Sequence, residues 1–277
     1  MRLVNVKWKY AGEWTPTLVL AEAGKSEKSS LAEIPLWNAF LKMQVGERFC
    51  SGYFQGAYHY ACSNKPESGE YLCSSCAKKD EWLPCVKCRG SCINHQKREG
   101  CETADYIIYM AAFGNRTKVG VSRKYRFFPR ILEQGADFAA RLFDMQDGGY
   151  ARQLEQKLSR KTGITDRVSG DFKIKRILTD PNESIAAMSE SMARIEEKLK
   201  LNLPGVKIYD MRSFYRIQNV KEPPKPLQSD EICGKVLCVK GSIAVLQNDE
   251  VFSVNFRSLI GSEITVKASN ALLQTPL

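Results

Sequence analysis

The chain has 277 residues, with 41 Lys and Arg against 31 Asp and Glu, a net charge of +10 and a pI near 9.1. At that length and 43% hydrophobic content it can bury its own core, so its ten cysteines are not the disulfide framework of a small secreted domain. No apolar run approaches the ~18 residues of a membrane span, and the start MRLVNVKWKY lacks a signal-peptide apolar core. These features predict a cytoplasmic chain with reduced thiols and no membrane partner.

Residues 2–10 set Val4, Val6, Trp8 and Tyr10 against Asn5, Lys7 and Lys9, the alternation of a half-buried strand. TLVL at 17–20 reads as a second strand and GKSEKSS at 24–30 as a polar turn. Residues 1–49 are therefore expected to form a small β-rich element.

Eight of the ten cysteines follow between residues 50 and 101: Cys50, Cys62, Cys73, Cys76, Cys85, Cys88, Cys92 and Cys101. CSSC at 73–76 and CVKC at 85–88 have the spacing at which one short turn aims two thiolates at one ion. Residues 50–102 are thus read as a zinc-binding segment. The sequential pairing puts Cys50, Cys62, Cys73 and Cys76 on one Zn2+ and Cys85, Cys88, Cys92 and Cys101 on a second; an interleaved pairing has the two knuckles share an ion. Four thiolates leave no open position, so such sites are structural. His59 and His95 lie nearby, but a lone histidine is more often a surface or packing residue. Cys233 and Cys238 stand apart in ICGKVLCVKG and read as small apolar strand residues.

In residues 105–121 two β-prone runs flank Gly114-Asn115, a hairpin signal. The stretch 115–130, NRTKVGVSRKYRFFPR, carries Arg116, Lys118, Arg123, Lys124, Arg126 and Arg130 and no acidic residue, interleaved with Tyr125, Phe127 and Phe128. Cations hold phosphates by counterion release and aromatic faces stack on bases, so this stretch points to nucleic acid. The bland alternative makes at least one of Phe127 and Phe128 a core residue. Pro129 opens a helix that stops at Gly135, and after a loop and the DGG turn at 147–149 a second helix runs to Gly163. Asp180-Pro181 starts another, with Ile185, Met188, Met192, Ile195 and Leu199 as a stripe expected to pack on the chain's own core. Residues 220–229 read as a proline-rich linker, and 230–277 as a small β-barrel. The fold class is α+β: a zinc-knuckle segment, then a hairpin and helix domain at 103–180, an amphipathic helix and connection at 181–219, and β-rich N- and C-terminal parts.

The run AFGNRTKVGVSRKYRFFPRILEQGADFA resembles the core of a prokaryotic family, domain of unknown function 2797. The matching features are Tyr109, the strand Lys118-Val119-Gly120-Val121-Ser122-Arg123, then Arg130 and Glu133-Gln134-Gly135-Ala136. The upstream cysteine knuckles and the helix glutamate Glu155 extend the resemblance over about residues 45–165. The same hairpin-then-helix order is similar to the GIY-YIG nuclease superfamily. That resemblance implies roles for Tyr109 as the first-strand tyrosine, Lys118-Val119-Gly120 as the second-strand motif, Arg130 as the charge-stabilising arginine, and Glu155 as the ligand of one Mg2+. At Lys118 the chain departs from the superfamily's tyrosine.

Three functions follow. One is a zinc-stabilised nucleic-acid-binding protein, DNA or RNA, with a Mg2+-dependent nuclease centre of Tyr109, Arg130 and Glu155 and phosphate contacts from Lys118, Arg123, Lys124 and Arg126. The second, which Lys118 favours, is a non-catalytic module binding RNA or a ribonucleoprotein. The third is a protein–protein adaptor using the Met-rich helix.

Overall fold

The computed structural model describes residues 1–22, 24, 28–165, 167–200, 202–203 and 205–267. The chain is α+β and divides into two compact units, one of residues 1–83 and 218–277 and the other of residues 84–217.

The first unit begins with β1 (Arg2–Ala11) and β2 (Glu13–Ala21), a tight antiparallel pair. The predicted strand is present, but its register shifts between Leu3 and Asn5, so a single alternation does not run its length. Val4 and Trp8 are buried, whereas Tyr10 is 66% exposed and lies against Trp14 near the hairpin turn. Of the polar stretch at 24–30, residues 25–27 lie outside the described residues and Lys28–Ser29 form β3. Then come β4 (Leu31–Pro35), β5 (Phe40–Arg48), β6 (Tyr53–Gln55), β7 (Tyr58–Tyr60) and helix α1 (Ser74–Lys79). β3, β7 and β6 make a small sheet of their own.

The second unit holds most of α2 (Leu83–Lys87), then α3 (Arg98–Glu102) and the hairpin β8 (Asp105–Phe113) and β9 (Arg116–Arg123). α4 (Phe127–Gln134), β10 (Phe138–Gln146), α5 (Gly148–Thr162), α6 (Gly170–Lys175), α7 (Pro181–Leu199) and β11 (Ile208–Asp210) complete it. The strands form one antiparallel sheet in the order β11-β10-β8-β9. The stretch read as a loop before the DGG turn is β10. Its two alanines give it a weak intrinsic strand signal, and pairing with β8 and β11 makes it a strand. α4 and α5 end on left-handed glycines, Gly135 and Gly163, as expected.

Helices α5 and α7 bury Ala151, Leu158, Met188 and Ile195 in one cluster with Ile108, Met110, Ala112, Val119 and Val121 of the hairpin. The α7 stripe does serve the chain's own core, slightly rotated: Ile185 is 37% exposed while Ser184 and Ser191 are buried. Asp180 caps α7, accepting from the Asn182 amide at 2.9 Å.

The chain returns to the first unit through β12 (Lys225–Pro226), β13 (Glu231–Lys240), β14 (Ile243–Gln247), β15 (Val251–Asn255) and β16 (Ser262–Val266). Among the described residues the C-terminal strands do not form a barrel of their own. One nine-stranded sheet runs β12-β15-β14-β13-β5-β16-β1-β2-β4, because β13 pairs with β5 and β16 with both β5 and β1. Lys225–Pro226, inside the expected linker, pairs in parallel with β15 at the sheet edge, where a proline costs no ladder bond.

Candidate metal centre and the Tyr109 cluster

Cys50, Cys62, Cys73 and Cys76 converge in the first unit. All four are buried, and their sulfurs lie within 4.8 Å of one another. The Cys62 and Cys73 sulfurs are 3.8 Å apart, which matches the edge of about 3.8 Å that four Zn–S bonds of about 2.3 Å make in a tetrahedron, and excludes a disulfide. The local chain explains the convergence. Cys73 is the N-cap residue of α1, so Cys76 sits one turn inside the helix on the same side. Cys50 precedes Gly52, whose φ of +76° lets the chain pass where a Cβ would lie 2.2 Å from the Tyr60 carbonyl.

The backbone amide of Cys73 donates to the Cys50 sulfur (3.2 Å) and that of Asn64 to the Cys62 sulfur (3.5 Å). Burial works against ionising Cys73, but the Cys76 amide and the Asn64 side chain donate to its sulfur and hold its thiol down at about 6. Burial pushes the Cys50 and Cys76 thiols up. Crowded sulfurs resist carrying charge together, and a divalent cation removes that conflict. The donor set therefore fits Zn2+.

His59 is buried here but is not one of the four. Its Nε2 lies 2.7 Å from the Ser51 carbonyl, its Nδ1 2.6 Å from Ser29 Oγ, and burial lowers its pKa. His95 is exposed. Sequence reading missed Arg2, whose buried guanidinium donates to the carbonyls of Cys50 (3.0 Å) and Cys62. A single arginine in a strand start carries no spacing signal.

Cys85, Cys88, Cys92 and Cys101 all lie in the other unit, so the sequential division of the cysteines coincides with the division of the chain. Among the described residues the first quartet is the one group of three or more such side chains gathered so closely. The second four are half-buried, with partners of their own: Asn94 Nδ2 reaches Cys85 at 3.3 Å, the Gly90 amide reaches Cys88 at 3.4 Å, and Cys101 lies 3.2 Å from the Tyr106 hydroxyl. Cys238 is buried in β13, as expected of an apolar strand residue.

In the second unit Tyr109 stands opposite Gly120 in the hairpin register and is 1% exposed. Its hydroxyl accepts from Gln134 Nε2 at 2.6 Å. Burial raises its pKa; Arg130 is close enough to pull that value down and Glu155 close enough to push it up. Tyr109, Arg130 and Glu155, which the resemblance named, thus share one neighbourhood. Each also has an ordinary role. Tyr109 packs against Phe127, Arg130 lies 4.0 Å from Glu133, and Glu155 lies 3.8 Å from Arg152.

The basic stretch runs along β9 and the turn into α4. Lys118 is half-buried on β9, and Arg123 lies over the Tyr106 ring at 5.1 Å. Lys124 pairs with Asp144 (3.2 Å) and Arg126 with Glu133 (2.7 Å). Phe127 is buried and Phe128 and Tyr209 pack on it, which leaves Tyr125, 79% exposed, as the one outward aromatic of the stretch. Residues 84–217 hold 25 Lys and Arg against 16 Asp and Glu, a net +9, whereas the rest of the chain holds 16 against 15.

Among the described residues no helix is long and apolar enough to cross a membrane. No curated protein and no solved structure matches the chain. Residues 41–264 match the family described as "Protein of unknown function (DUF2797)", spanning the cysteine quartet, the hairpin and most of the nine-stranded sheet. The chain belongs to the DUF2797 family.

Proposed function

We propose that this is a zinc-stabilised nucleic-acid-binding protein whose central domain is of the GIY-YIG type. The observation that carries the reading is the coincidence, in one unit, of nearly all the net charge with the Tyr109, Arg130 and Glu155 neighbourhood. The first cysteine quartet holds one structural Zn2+, and Cys85, Cys88, Cys92 and Cys101 hold a second. Lys118, Arg123, Lys124 and Arg126 contact phosphates. The Lys124–Asp144 pair is exposed and weak, so phosphate displaces its carboxylate readily, whereas Arg126 is paired with a Glu133 that is only 18% exposed. Binding is expected to weaken with salt, log affinity falling by about 0.7–0.9 per phosphate contact, and Arg123→Ala is expected to flatten the slope by about one contact. A titration from low to high salt by fluorescence anisotropy checks this, and salt-insensitive binding counts against the reading.

In the nuclease form, Arg130 would stabilise charge developing on the phosphate and Glu155 would hold a Mg2+, an ion that needs few protein ligands. That ion supplies charge neutralisation at the phosphate. Tyr109, buried and with its proton held by burial, donates or orients and does not serve as the base at neutral pH. Glu155→Ala is expected to lower Mg2+-dependent cleavage about 100-fold or more while leaving binding intact. Cleavage of single-stranded and duplex DNA and RNA by wild type and variant decides it; equal rates remove Glu155 from the reaction.

The non-catalytic reading is favoured by Lys118 in the tyrosine position and by the Arg152–Glu155 pair. It predicts the same salt slope with no turnover. The adaptor reading has less support, because α7 buries Met188 and Ile195 in its own core.

A further inference from the structure

We propose that Arg2 is the charge partner and brace of the four-cysteine centre, a role that rests on the quartet holding a divalent metal. Arg2 lies in β1, with its backbone paired to Ala21 of β2 and Glu263 of β16. Arg2 is 4% exposed, and its guanidinium sits over the Phe49 ring at 4.8 Å. One terminal nitrogen donates to the carbonyls of both Cys50 and Cys62, while the buried Nε has no hydrogen-bond partner. Among the described residues no carboxylate forms an ion pair with it.

Arginine is rarely buried without an anion, because the guanidinium loses its water and needs compensation. Four thiolates around one divalent cation leave two negative charges beside Arg2. The quartet is thus the anion that this cation lacks elsewhere. The two hydrogen bonds add a second effect. They tie together the backbone of two cysteines that lie on separate turns, which sets the spacing of their sulfurs before an ion arrives. Outer groups of this kind hold ligands in place, and their loss typically costs about 10- to 100-fold in metal affinity. Because Arg2 is also hydrogen-bonded into the nine-stranded sheet, retention of the ion and docking of the first strand become coupled.

The test measures metal content of the full-length protein and the rate of zinc release to excess chelator. The quartet's ion is identified as the one that Cys76→Ser removes. Arg2→Met is expected to weaken retention of that ion about 10- to 100-fold. Arg2→Lys keeps the charge without the fork and is expected to fall between Arg2→Met and wild type. Leu3→Ala, a buried apolar truncation on the same strand, controls for simple loosening of β1. Release from Arg2→Met at the wild-type rate, or equal acceleration by Leu3→Ala, overturns the role of Arg2. A wild-type protein without metal overturns the metal centre itself, and the role of Arg2 with it.

Discussion

Cys76→Ser is expected to remove one zinc ion per chain and to unravel the segment around residues 50–79. Cys76 is 5% exposed and shares its sulfur environment with Cys50, Cys62 and Cys73. Among the described residues the other supports are local: Arg2 on the Cys50 and Cys62 carbonyls, the His59 hydrogen bonds and the Tyr53–Tyr60 stack. β6 and β7 are three residues each, and among the described residues Tyr53 and Leu72 are the partly buried apolar neighbours packed against the cysteine cluster. A structural Zn2+ contributes about 10–16 kcal/mol of apparent binding free energy. A domain's entire stability is about 5–15 kcal/mol. Losing even a third of the ion's contribution, about 3–5 kcal/mol, therefore approaches the lower end of a whole domain's stability. Metal analysis together with hydrogen exchange checks it: one ion fewer, and fast exchange across 50–79. Cys238→Ser is the control, a buried cysteine outside the quartet, expected to cost about 1–3 kcal/mol for a buried hydroxyl and to release no metal. Full metal content and unchanged exchange in Cys76→Ser would mean that packing alone supports this segment.

Gly120→Ala is expected to destabilise the second unit by about 2–4 kcal/mol, from overpacking and a strained or lost hydrogen bond. An added Cβ would sit 2.5 Å from the Tyr109 hydroxyl oxygen and 2.6 Å from the ring carbon that bears it. Tyr109 has nowhere to retreat. It is 1% exposed, its ring meets Phe127 edge-on, and Gln134 holds its hydroxyl at 2.6 Å. Placing Tyr109→Leu in the Gly120→Ala background removes the colliding atoms, so the two changes should be less than additive. Denaturant unfolding of the single and double variants measures this; strict additivity would show that the two positions do not crowd each other. The result also bears on function. The Gly120 of the Lys-Val-Gly stretch makes room for a buried phenol, so activity lost in Gly120→Ala would accompany lost stability. Glu155→Gln, which keeps the size of a side chain only 12% exposed and removes its charge, separates chemistry from packing.

Local patterns in the chain were sufficient for several elements. Two runs of β-prone residues around Gly114-Asn115 specify a hairpin because the turn itself demands those residues. Asp180-Pro181 and the glycines after α4 and α5 specify helix ends because capping is local chemistry. The spacing of CSSC marked two members of the cysteine quartet that gathers, since a short turn can present two thiolates by itself.

Nonlocal pairing lay beyond that reach. No residue in GKVLCVKG says that its strand joins β5, more than 180 positions earlier, so the N- and C-terminal strands looked like separate pieces. β10 carries too little intrinsic strand preference to announce itself, and its neighbours supply the hydrogen bonds that make it a strand. The same holds for the sites. Tertiary structure decided that four of the eight cysteines gather in one buried group, that Arg2 turns inward to meet two of them, and that the excess charge resides in the unit carrying Tyr109, Arg130 and Glu155. Caps and turns depend on residues within a few positions of each other, whereas these juxtapositions depend on which distant surfaces the fold buries together.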